Sequence, residues 1–142
     1  MNFDSWINRP SDLREQITDA EEYAERQQAK CERTTINYGE EYIQTSRFDS
    51  VTKNILELDE AKKTVNRLYE QYFDTVDEIR EFMYANLPLR QADILDWRYC
   101  HLFTVDRIAK KKKMTPSGVY TSCKMALAKL RKIYNDQMMD GQ

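Results

Sequence analysis

Apolar residues recur along this chain at helical spacing, in stretches separated by polar breaks. From Ser11 to about Arg33, Leu13, Ile17, Ala20 and Ala24 share one helical face, and Ser11, just after Pro10, is the N-cap candidate. The stripe is thin and Gln27-Gln28 interrupt it, so this helix needs a partner. Thr34 to Phe48 reads as a connection, with local order around Tyr38, Tyr42 and Ile43. Asp49 or Ser50 then caps a second helix reaching about Asn86. Its stripe runs through Val51, Ile55, Leu58, Val65, Leu68, Tyr72, Val76, Ile79, Phe82 and Met83. At 1.5 Å per residue this helix would span ~55 Å, more than a small core requires. Asn54 and Lys62 spoil core positions, so a strict heptad is not expected. The second stripe exceeds what the first can cover. This predicts an antiparallel hairpin that also dimerises through Val51, Leu58, Val65, Leu68 and Tyr72, with a purely intrachain bundle as the alternative.

From Leu89 the pattern shortens. Ile94, Leu95, Trp97, Arg98, Tyr99 and Leu102 suggest a helix ending near His101, and Thr104 caps a short helix holding Val105, Ile108 and Ala109. Met114 points back to the core, and Thr115-Pro116 is an N-cap followed by proline at the first helical position. The last helix is predicted from Pro116 to about Tyr134, with Val119, Cys123, Ala126, Leu127 and Leu130 inside. Ala109 is the small residue that a close helix crossing needs, Val119 the branched residue packing against it, and Met114 the plug of the turn. That arrangement frees the start of the last helix to enter a major groove. It would present Thr115, Ser117, Gly118, Tyr120, Thr121 and Lys124, with Lys110, Lys111, Lys112 and Lys113 placed to reach phosphates.

Charge sharpens this picture. Net charge is −2, yet residues up to Leu87 hold 19 Asp and Glu against 11 Lys and Arg, and those from Pro88 onward hold 5 against 11. The expected division is therefore an acidic helical hairpin and oligomerisation region over 1–87 and a basic DNA-binding domain over 88–142. With three Gly and three Pro in 142 residues, long helices are favoured over strands and the fold class is all-α. Cys31, Cys100 and Cys123 lack metal-site spacing and cannot all pair. No signal peptide and no apolar run near ~20 residues is present, so a reduced, cytoplasmic chain with no membrane contact is expected. One histidine and no Gly-rich phosphate loop argue against an enzyme, and no cofactor or metal is expected.

Ile94-Leu95-Asp96-Trp97-Arg98-Tyr99, Thr104-Val105-Asp106-Arg107-Ile108-Ala109, Met114-Thr115, Val119, Ala126-Leu127 and Leu130-Arg131 resemble the fourth conserved region of bacterial sigma factors. The acidic first half, the Thr-rich break and the sigma-like tail together resemble phage regulators of the ArpU and RinA type. This resemblance implies a sigma region 4-like helix-turn-helix and control of late or packaging genes in phages or prophages. It also implies double-stranded DNA as partner and host RNA polymerase as a further contact, with a dimer or higher oligomer supplying two heads. Where the family has an apolar residue and a glycine, this chain has Lys112 and Lys113, so a distorted or lengthened turn is expected. No promoter-melting region accompanies the tail, which argues against a complete sigma factor. Other readings of the same tail are a phage protein that binds and inhibits a host protein, such as polymerase or a defence complex, and a small DNA-packaging adaptor.

Overall fold

The computed structural model describes the backbone of residues 1–38 and 45–140 and the side chains of residues 1–33 and 49–138. Its elements are all helical: α1 (Phe3–Ile7), α2 (Arg9–Tyr38), α3 (Thr45–Asn86), α4 (Leu89–Leu95) continuing into one π-helical turn (Asp96–Cys100), α5 (Val105–Lys112) and α6 (Pro116–Asp140). The fold is all-α, as the paucity of turn chemistry predicts. No helix among the described residues is long and apolar enough to cross a membrane.

Two compact units divide the chain. One is Leu13–Tyr72; the other joins Met1–Asp12 to Phe73–Gln142. In the first unit α2 and α3 run antiparallel. The Cys31 thiol donates to the Asn54 carbonyl at 3.3 Å, Lys30 pairs with Glu57 at 3.8 Å, and Arg14 lies over the Tyr72 ring at 5.9 Å. The expected hairpin is therefore present, but its seam differs from the expected stripe. Residues 51, 54, 58, 61, 65, 68 and 72 are among the less exposed positions of α3, and 13, 17, 20, 24, 27 and 31 are those of α2 within this unit, each set alternating steps of three and four. Asn54 and Ala61 thus occupy the seam, Lys62 does not, and Ile55 lies outside it at 55% exposure. The heptad spacing is regular after all. Leu68 and Tyr72, expected in a dimer interface, are buried against the chain's own α2.

Helices reach further into the expected connection than predicted, since α2 continues to Tyr38 and α3 begins at Thr45. The remainder of that connection, including Tyr42 and Ile43, lies outside the described residues.

The second unit explains the rest of the α3 stripe. Ile79, Met83 and Leu87 are buried in one core with Ile94, Leu95, Ile108, Val119, Ala126 and Leu130, so the lower part of α3 packs on the tail. A boundary at Leu87 consequently cuts through a core. The other addition is the N-terminus: Phe3, Trp6 and Ile7 of α1 are buried in the same cluster. Trp6 packs edge-on against Phe82 at 5.2 Å, and its ring centroid lies 5.2 Å from that of Tyr134. The Tyr134 hydroxyl donates to the Met1 carbonyl at 2.9 Å, and Arg131 pairs with Asp4 at 2.7 Å. Residues 1–12 therefore belong with the basic tail and not with the acidic hairpin.

Candidate nucleic-acid interface

The candidate interface is built on α5, a three-residue turn and α6. Thr104 caps α5 by accepting from the Arg107 amide at 3.2 Å, and Ile108 and Ala109 turn inward. At the far end Lys110, Lys111 and Lys112 occupy the last turn, where cations complement the partial negative charge of the helix C-terminus. Lys113 adopts the left-handed conformation, φ 55° and ψ 45°, and the Met114 amide reaches back to the Ala109 carbonyl at 2.9 Å. The turn is thus a Schellman closure with lysine where glycine is preferred. It is neither distorted nor lengthened, contrary to expectation, because a single strained residue absorbs the whole reversal.

Thr115 Oγ1 then accepts from the Gly118 amide at 3.0 Å, and Pro116 starts α6 at the one position where a missing N–H costs nothing. A Cβ on Gly118 would sit 3.1 Å from Thr115 Oγ1 and 3.6 Å from the Met114 methyl, which places Met114 beneath the first turn of α6. Val119, Cys123, Ala126 and Leu130 are buried on the inner face of α6, as predicted. Ser117, Tyr120, Thr121 and Lys124 lie on its outer face, with Tyr120 66% exposed.

These groups are not equally free. The Thr115 hydroxyl is committed to the cap, and the Thr121 hydroxyl donates to the Ser117 carbonyl at 3.0 Å. Gly118 offers backbone only. Ser117, Tyr120 and Lys124 are left to project outward from the first turns of α6. Among the lysines, Lys110, Lys111 and Lys113 are exposed and make no ion pair among the described residues. Lys112 is different. Its Nζ lies 3.7 Å from Asp93 and 4.8 Å from the Trp97 ring centroid, so its ammonium is held between a carboxylate and the indole. Comparison with protein-family models, curated proteins and solved structures finds no match.

Two features beside the turn were not anticipated from the residues. The first is a polar cluster behind α5. Asp96 is buried, with Arg80 Nε at 3.2 Å, His101 Nε2 at 3.7 Å and the Tyr84 hydroxyl at 3.1 Å. Tyr84 also donates to Asp93 at 2.7 Å; burial and these two carboxylates raise its hydroxyl's pKa well above the ordinary tyrosine range. Burial, with Asp96 next to it, likewise pushes the Cys100 thiol up to about 12. The second is an aromatic platform. The π-helical turn closes with the His101 amide on the Asp96 carbonyl at 3.0 Å. Leu102 then takes φ 58°, and the Phe103 amide returns to the Trp97 carbonyl at 2.9 Å. This reversal brings Phe103 against Trp97, with centroids 6.2 Å apart, and against His101 at 5.6 Å.

Proposed function

We propose that this protein is a DNA-binding transcription regulator of the phage late-gene type, with α5, the Lys113–Thr115 turn and α6 acting as a helix-turn-helix. The observation that carries this reading is the capped, strained turn, which buries Ala109 and Val119 while leaving the first turns of α6 exposed beside uncompensated lysines. A helix start exposed in this way is the part of a recognition helix that enters a major groove. Ser117, Tyr120 and Lys124 are the side chains assigned to base edges. Lys110 and Lys113 are assigned to phosphates, and Lys112 is removed from that role by its pairing with Asp93.

Dimerisation remains part of this reading, because paired heads suit paired half-sites. Its contact surface is moved from the seam to apolar side chains outside it, such as Ile55 and Leu56. Contact with RNA polymerase is retained on the sigma-like resemblance alone.

A salt series on duplex DNA tests the reading. Counterion release requires log K to fall linearly with log salt, and each phosphate contact removed by Lys110→Ala or Lys113→Ala should reduce the slope by about 0.9. Lys112→Ala should leave the slope unchanged. Absence of duplex binding at low salt would overturn the proposal and favour a protein-binding role for the same surface.

A further inference from the structure

We infer that Arg107, held with Lys111 on the Phe103–Trp97 platform, extends the phosphate-binding surface of α5 by a backbone-phosphate site beyond Lys110 and Lys113. The inference rests on the DNA-binding reading above.

Arg107 Cζ lies 3.8 Å from the Phe103 ring centroid, a direct stacking distance. Lys111 Nζ lies 5.1 Å from the same ring and 5.7 Å from that of Trp97. The two cations are one helical turn apart, which puts them on one face of α5, about 5–6 Å between their Cβ atoms. Successive phosphates on one strand advance by about 3.4 Å along the duplex axis, so this pair can span neighbouring phosphates. Neither cation pairs with a carboxylate among the described residues. Even Asp106, next to Arg107 in sequence, makes no ion pair with it.

Structural cations usually find an acid; these are placed against ring faces instead. A guanidinium held against an aromatic ring retains N–H groups for a phosphate and loses less further freedom when a phosphate oxygen pair docks. The platform itself is costly to build. It needs a π-helical turn and a leucine, Leu102, at positive φ, and strain of this kind persists where the surroundings over-determine it.

A phosphate strand is favoured over an acidic protein segment by what α6 lacks. From Pro116 to Met125 it contains no Arg, Asn, Gln, Asp or Glu, which leaves Lys124 as its one side chain able to make a two-pronged base contact. Binding through this helix must therefore draw most of its strength from backbone contacts nearby, and α5 is the adjacent cationic element.

The test compares full-length protein with Arg107→Ala/Lys111→Ala and with Arg107→Lys, on a random-sequence duplex between about 50 and 200 mM salt. The double variant should lose about 1.8 from the slope of log K against log salt, weakening binding equally on all sequences. Arg107→Lys should keep the slope while binding several-fold more weakly, because charge is retained and the stacked fork is lost. Circular dichroism checks that each variant folds; both side chains are exposed, so the core is untouched. If the unmutated protein binds duplex DNA and the double variant keeps its slope, the second site is wrong and the DNA-binding reading stands. If the unmutated protein binds no duplex, both fall.

Discussion

Lys113 is a substitution site whose outcome can be worked out from the backbone. Its left-handed conformation brings Cβ close to the carbonyl oxygen, a crowding worth about 1–2 kcal/mol in an L-residue. Lys113→Gly removes that Cβ. Glycine also makes the unfolded chain freer, which takes back roughly 0.5–1 kcal/mol. The net expectation is a gain of about 0.5–1 kcal/mol, equivalent to a rise of about 2–4 °C in Tm for a chain of this size. Lys113→Ala is the matched control: it removes the same charge and keeps the Cβ, so it should stay close to the unmutated protein. Both tryptophans, Trp6 and Trp97, pack in the unit that contains the turn, so their fluorescence during urea unfolding reports on it. The midpoint should move upward for the glycine variant alone, at unchanged m value. A glycine variant no more stable than the alanine one would mean that the turn carries no strain, and the Schellman account of it would fail.

Three further outcomes follow from the packing. Trp6→Ala should destabilise the tail by about 3–5 kcal/mol, because the indole is buried among Phe3, Phe82 and Tyr134, and urea unfolding followed by far-ultraviolet dichroism would measure it. Thr115→Ala should cost about 0.5–2 kcal/mol through the lost cap on the Gly118 amide, with Thr115→Ser restoring most of it in the same assay. The Cys100 thiol is harder to ionise when folded, so its contribution is fully present below about pH 9 and is lost as pH rises towards about 12. A Cys100→Ala variant should accordingly lose less stability than the unmutated protein across that alkaline interval, measured as unfolding free energy against pH.

The helices, their caps and the inner face of α6 were legible because each depends on local spacing and on residues with one dominant role, such as Thr104, Thr115 and Pro116. The hairpin seam was misread for a chemical reason. Asn54 is polar and Ala61 is small, so neither registers as part of an apolar stripe, yet both are buried in the seam. The α1 segment was missed although Phe3, Trp6 and Ile7 have helical spacing; five residues are too few to form a helix without the core that receives them. At the candidate interface, position identified the lysines but not their engagement. Lys112 looks like its neighbours in sequence and differs from them because Asp93 is brought beside it. Arg107 carries no signal in the sequence, because its distinguishing feature is the ring beneath it, which requires the π-helical turn and the reversal at Leu102.

The docking of α1 on α6 has a consequence for the nascent chain. Asp4 and Arg131 are 127 positions apart, so α1 must wait for the synthesis of α6 before it is buried. During that interval Phe3, Trp6 and Ile7 are without their permanent cover, while the contacts within the hairpin unit need only residues already synthesised. Contacts of such long range slow folding and prolong the exposure of sticky surface. Synthesis rate and chaperone supply should therefore govern the yield of the tail unit more than that of the hairpin. A circular permutant that joins α6 directly to α1 and opens the chain elsewhere would make this contact local and shorten the wait.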